Sequence, residues 1–199
     1  MTTTSATARR PLVRHPVRWV AGVLLLALVL VAVVAATRPS QQATQVQSPL
    51  VGRPAPVLAG TTLAGSPFSL TQERGHYVYV NFFASWCPPC QEEQQALMDF
   101  GFHQGQEADG ARMVSVVFND TVSDARRYVS EWGIPWPVVP DNAGAIANRF
   151  GVSAPPMTFL VDPQGTVVGT WEGPVTVAQL DRMLRTARAG EQFSGGTSG

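Results

Sequence analysis

The chain has 199 residues, 45% of them hydrophobic, which leaves room for one globular domain plus one apolar segment. Its formal charge of zero is unevenly spread: residues 1–38 hold Arg9, Arg10, Arg14, Arg18 and Arg38 and no acid, while the remainder has nine Arg against fourteen acids, a net charge of −5. An acidic main body excludes nucleic acid as a partner, because that function needs a basic patch.

Residues 1–18 are polar and basic and read as a cytoplasmic tail. Residues 19–36, from Trp19 to Ala36, are eighteen in a row without a charge. That run falls within the roughly 17–25 that span a bilayer and exceeds the roughly 7–15 of a signal-peptide core. Four Arg before it against one after it place the N-terminus in the cytoplasm. A cleaved signal peptide is the alternative, with Val34-Ala35-Ala36 as its small-residue site, but the length favours an uncleaved single-pass anchor. Residues 37–50, rich in Gln, Ser, Thr and Pro, read as a flexible linker. A domain over residues 51–190 then stands on the extracytoplasmic side of a bacterial cell membrane, where disulfides persist unless something reduces them. Residues 191–199 are expected to be a disordered tail.

Within the domain, Pro54–Leu58 and Pro67–Leu70 suggest two short strands around a Gly-containing turn. Glu73-Arg74-Gly75-His76 is a turn, and His76 is expected to be a solvated turn histidine rather than a catalytic base; His103 is read the same way. Tyr77 to Phe83 is rich in aromatic and β-branched residues and predicts a strand. Gln91 to Phe100 has Ala96, Leu97 and Phe100 at helical spacing. Between strand and helix stand the only two cysteines, in Trp86-Cys87-Pro88-Pro89-Cys90. A structural zinc site needs about four Cys or His ligands, and a c-type haem site needs His where Gln91 stands. A structural staple usually joins distant segments, since short loops gain less. A Cys-x-x-Cys pair where a strand turns into a helix points instead to redox chemistry: the helix N-terminus favours the thiolate, which is the reactive form. No metal and no cofactor are called for.

The stretch Val80-Asn81-Phe82-Phe83-Ala84-Ser85-Trp86-Cys87-Pro88-Pro89-Cys90 resembles the membrane-anchored, thioredoxin-like thiol–disulfide oxidoreductases grouped as TlpA/ResA/DsbE-like, over residues 51 to 189. The resemblance implies an α/β thioredoxin-like fold behind a single N-terminal transmembrane helix. In that fold a central mixed sheet is flanked by helices, and an N-terminal β-hairpin precedes the first long strand.

The rest of the chain fits that expectation. Met113 to Phe118 is a continuous apolar run, as a central strand covered on both faces requires. Ser123 is placed to cap a helix to Trp132, Trp136–Val139 predicts a short strand, and Asn142–Phe150 a short helix ending at Gly151. Trp132 and Trp136 are read as packing residues. Pro156, just before Met157-Thr158-Phe159, matches the family's cis-proline facing the Cys pair; X–Pro bonds are where a cis peptide costs little. Asp162-Pro163-Gln164-Gly165 is a hairpin turn leading to Val167–Trp171. Val177 to Ala189 predicts the closing helix, with Leu180, Met183 and Leu184 on its inner face.

In the chemistry so expected, Cys87 attacks, because the first sulfur of such a pair is exposed at the helix start, and Cys90 resolves the mixed disulfide. Trp86 is placed to shield one side of the sulfur, although a packing role alone would place it there equally well. The resemblance implies that Pro155 and Pro156 face the client's backbone; proline at 155 keeps the carbonyl and loses the donor. It also implies a buried Glu at position 93, where Glu93 could take or deliver the Cys90 proton. The family's proline soon after that Glu is replaced by Gln94 and Gln95. With Glu92, Gln94 and Gln95 around it, a merely solvated Glu93 is equally compatible with the residues. Pro88 and Pro89 withhold two N–H donors from Cys87, which favours the disulfide and a reducing protein.

The expected protein is thus a monomeric disulfide reductase of exported clients. The resemblance points to apocytochrome c as client and a transmembrane thiol carrier as electron source. Two alternatives are the same pair run as an oxidase, and a non-enzymatic copper- or partner-binding module. Copper carriers of this superfamily use a wider Cys spacing and a distal His, and no His follows His103. A thiol peroxidase is disfavoured by the motif around the Cys.

Overall fold

The computed structural model describes residues 48–196 and, apart from them, Leu24. The basic tail (1–18), the anchor (19–36, Leu24 excepted), most of the linker (37–50) and the last three residues lie outside the described residues. Among the described residues no helix is long and apolar enough to cross a membrane.

The fold is built outward from one strand. β1 (Ala59–Thr61) and β2 (Pro67–Ser69) form an antiparallel hairpin, followed by a 3-10 turn at Leu70–Glu73. Then come β3 (Val78–Phe83), α1 (Pro88–Gln106), β4 (Arg112–Val117), α2 (Val122–Trp132), β5 (Val138–Pro140), α3 (Ala145–Phe150), β6 (Met157–Val161), β7 (Val167–Glu172), α4 (Val177–Arg188) and β8 (Phe193–Gly196). The sheet order is β5-β4-β3-β6-β7-β8. β3, β4 and β5 run parallel, β6 is antiparallel to both β3 and β7, and β8 is parallel to β7. This is the mixed sheet of a thioredoxin-like α/β fold, with the hairpin in front.

Successive strand residues face opposite sides of a sheet, and β3 is buried on both. Val78, Val80 and Phe82 join one apolar cluster with Phe150 of α3 and Phe159 of β6. Tyr79 points the other way, into a cluster with Leu97 and Phe100 of α1 and Leu180 and Met183 of α4. Asn81 shares the face of Tyr79, so the strand delivers an amide beneath α1. A third cluster gathers Phe83, Cys87, Cys90 and Tyr128 of α2.

Several boundaries differ from the sequence expectation, each for a physical reason. The first hairpin strand is Ala59–Thr61 rather than Pro54–Leu58, a segment in which Pro54 makes only an isolated bridge to Thr166; two prolines there remove ladder donors. α1 runs on through Gly101 and Gly105, because Gly101 lets Trp136 and Met113 pack against the helix, where a Cβ would meet Trp136 Cζ3 at 2.9 Å. The N-cap of α2 is Thr121, whose hydroxyl accepts from Asp124 N–H, and not Ser123. His76 is half-buried and faces Arg112, with 3.0 Å between Nε2 and Nη2. The tail expected to be disordered forms β8 at Phe193–Gly196, where Phe193 stacks on Trp171.

Candidate active site

The Cys-Pro-Pro-Cys run dictates its own local geometry. A residue before proline is steered to extended backbone, and Cys87 has φ −91° and ψ 108°. Pro88 and Pro89 take the first two helical positions of α1, where an N–H would have no intrahelical partner. Cys90 is the third, and its N–H donates to Cys87 Sγ at 3.2 Å. The first sulfur is therefore the side-chain cap of a 19-residue helix, at its electropositive end. The pair is closed as a disulfide.

One expectation is corrected here. Cys87 is not exposed in the disulfide form: 3% of it is accessible, against 1% of Cys90. Both sulfurs pack in the cluster of Phe83, Val117 and Tyr128, and the Pro155 carbonyl oxygen lies 3.7 Å from Cys87 Sγ. What separates the two cysteines is the capping position, held by Cys87.

Trp86 is 54% exposed beside the pair, and its indole N–H donates to the Asn119 carbonyl at 3.1 Å. Ser85 N–H donates to Asp120 Oδ2 at 2.7 Å, tying the β3–α1 turn to the end of β4. The Pro155–Pro156 peptide is cis. Pro155 is half-buried and Pro156 buried, on the segment entering β6. The structure thus brings Trp86, Cys87, Cys90 and Pro155 to one end of the sheet.

Glu93 lies beneath that surface. Helical spacing puts Cys90, Glu93, Gln94 and Leu97 on the inner face of α1, and all four are buried. Glu93 Oε1 accepts from Asn81 Nδ2 at 2.8 Å, and Oε2 accepts from Val175 N–H at 2.9 Å. Asn81 also donates to Thr158 Oγ1, at 3.1 Å, its partner across the β3–β6 register. Burial pushes the Glu93 carboxyl up to about 7, while the Asn81 and Val175 donors pull it down. A carboxyl tuned to that range is matched to proton transfer near neutral pH. Tyr128 donates to the Cys90 carbonyl at 3.3 Å and to Gln94 Oε1 at 3.2 Å; its phenol is raised above the ordinary value by burial and then by the Glu93 charge.

Asn81, Thr158, Val175 and Tyr128 are not among the site residues expected from the sequence. Asn81 alone left a signal, as a lone amide inside an apolar strand. Among the described residues no group of three His, Cys, Asp or Glu gathers as a metal site.

The profile described as the AhpC/TSA family matches residues 51–170. The chain belongs to that family. It is 27% identical over 135 residues to the thiol–disulfide oxidoreductase ResA of Bacillus thuringiensis subsp. konkukian, covering 68% of this chain and 77% of ResA. Against ResA of Geobacillus kaustophilus it is 27% identical over 161 residues, covering 81% and 91%. A thiol:disulfide interchange protein of the thioredoxin family from Chlorobium tepidum superimposes with a TM-score of 0.61 at 30% identity, covering 67% of this chain and 94% of that one. This member of the AhpC/TSA family is a thiol–disulfide oxidoreductase of thioredoxin-like fold.

Proposed function

We propose that the chain is a membrane-anchored disulfide reductase of exported proteins, held by residues 19–36 with its catalytic domain outside the cytoplasm, and that its client is apocytochrome c before haem attachment. One observation carries the reading: a Cys-Pro-Pro-Cys cap with a single backbone donor on Cys87, set over a buried carboxyl whose proton affinity is near neutral.

The reaction starts from the dithiol. The Cys87 thiolate attacks one sulfur of the client disulfide, forming a mixed disulfide and releasing the first client thiolate. Glu93 takes the proton of Cys90, directly or through water, and the Cys90 thiolate attacks Cys87 Sγ. The second client thiolate leaves, takes up a proton, and the client has gained two electrons. The Cys87–Cys90 disulfide, the state seen here, is then reduced by a transmembrane thiol carrier that supplies two electrons and is itself oxidised. Pro155 offers a carbonyl to the docked client backbone, and Trp86 offers an apolar face.

The test is the reduction potential of the protein, by equilibration against a glutathione series. A value near the thioredoxin potential of about −270 mV supports the reductase. A value near the strong-oxidant potential of about −120 mV would sink it and promote the oxidase. The client is tested by deleting the gene: apocytochrome c should then accumulate with its haem-site cysteines oxidised.

A further inference from the structure

The connection between β7 and α4 joins two parts of the site that come from different elements. Gly173 N–H donates to the Pro156 carbonyl at 3.0 Å, and two residues later Val175 N–H donates to Glu93 Oε2 at 2.9 Å. Between them, the Pro174 carbonyl accepts the indole N–H of Trp171 at 3.2 Å. Gly173-Pro174-Val175 is therefore a bracket across the site, and Trp171 is the post to which it is tied.

The post has its own support. β8 lies parallel to β7, with Trp171 opposite Gly195. The Phe193 ring stacks on the indole, with centroids 6.1 Å apart and planes 18° from parallel. A Cβ at Gly195 would fall well inside contact distance of Trp171 Cζ3 and Cε3, so the indole covers a position that only glycine can fill. The last strand contributes little else: Ser194 accepts from Thr170 Oγ1 at 3.4 Å, and its remaining residues are glycines.

We propose that Trp171, backed by the C-terminal strand β8, is a positioning residue for Glu93: it fixes the bracket that delivers the Val175 N–H to Oε2 and ties it to the Pro156 carbonyl. The inference rests on the reading of Glu93 as the proton acceptor for Cys90. Glu93 is served by only two donors, so each matters. The groups facing it are the Asn81 amide from β3, the Val175 N–H from the bracket, and the Tyr128 phenol from α2, with Cys90 on its own helix. Among the described residues no cation sets its titration. If the bracket drifts, the carboxylate loses a donor in a buried place while the protonated form loses less, so Glu93 keeps its proton to higher pH.

The experiment uses the full-length chain in detergent micelles, with the Glu93 carboxyl followed by carbon-13 NMR across pH and thiol–disulfide exchange measured over the same range. Trp171→Phe keeps an aromatic ring against Phe193 and removes the indole donor. Gly195→Val displaces the ring from the β8 side without touching the site. In both, the Glu93 titration should move upward, by roughly one unit for a lost donor to a buried carboxylate, and the exchange profile should move with it. A Glu93 titration unmoved in folded Trp171→Phe overturns the proposal, whatever Gly195→Val does. A titration that moves while the exchange profile stays put upholds the positioning and removes Glu93 from proton transfer instead.

Discussion

Asn81 spends both hydrogens of its amide on the centre of the fold, one on Glu93 Oε1 at 2.8 Å and one on Thr158 Oγ1 at 3.1 Å. With Val175 N–H on the other oxygen, Glu93 is a carboxyl that burial drives towards the neutral form and two donors draw towards the charged one. The balance, near 7, makes a group that changes protonation around neutral pH.

That balance has a measurable effect on stability. An unfolded Glu titrates near 4.5 and the folded Glu93 near 7, so between those values the native state binds more protons than the unfolded one. Stability is then fully present below pH 4.5, falls as pH rises, and levels off above 7. The loss from this group is on the order of 3 kcal/mol. Glu93→Gln should abolish this part of the slope, read from urea midpoints at pH 4.5, 6 and 8. An unchanged slope would mean that Glu93 ionises in the ordinary carboxylate range.

Tyr128→Phe tests the wall behind the pair. The phenol donates to the Cys90 carbonyl and to Gln94 Oε1, and its ring lies 5.2 Å from Phe83. Phenylalanine keeps the ring contact and leaves buried Gln94 short of a donor. The expected loss is about 1–2 kcal/mol in unfolding free energy, with the protein still able to exchange disulfides. No loss on denaturant unfolding would show that Gln94 repairs its own hydrogen bonding.

The roles proposed for the cysteines rest on the cap rather than on exposure. Cys87 Sγ receives both the Cys90 N–H and the helix dipole, so its thiolate is the better formed of the two. Cys90→Ala should capture a mixed disulfide with client protein, detectable as a reductant-sensitive adduct, whereas Cys87→Ala should be inactive and form none. The reverse pattern would exchange the two roles.

How far the sequence reaches can be judged from particular residues. The Cys pair, the β3 strand and the α4 face were legible because each is a local pattern: a motif, an apolar run, a helical stripe. The burial of Glu93 was implied by the family resemblance alone and not by its neighbours, because Glu92 and Gln95 are exposed and only Gln94 goes inside with it. On α1 the inner stripe of Cys90, Glu93, Gln94 and Leu97 is half polar, and its partners Asn81 and Val175 arrive from distant strands and turns. β8 was illegible for a different reason. Phe-Ser-Gly-Gly has no strand pattern, and its place is made by the flat face of Trp171 and the absence of a Cβ at Gly195.

The last prediction concerns what the two prolines do to the redox pair. Only the Cys90 N–H among the first helical positions reaches Cys87 Sγ, because Pro88 and Pro89 have no N–H to offer. Pro89→Ala adds a donor at the second position without disturbing the proline that opens the helix. The new N–H stabilises the Cys87 thiolate, and hence the reduced form, so the potential should become less negative and the Cys87 pKa should fall. A charge-assisted bond is worth roughly 1.5–3 kcal/mol. At about 30 mV per 1.4 kcal/mol for a two-electron couple, a rise of some tens of millivolts is expected. Equilibration of both proteins against the same glutathione series reads the difference directly. A potential that stays put or turns more negative would show that the prolines act through the helix geometry and not through the missing donors.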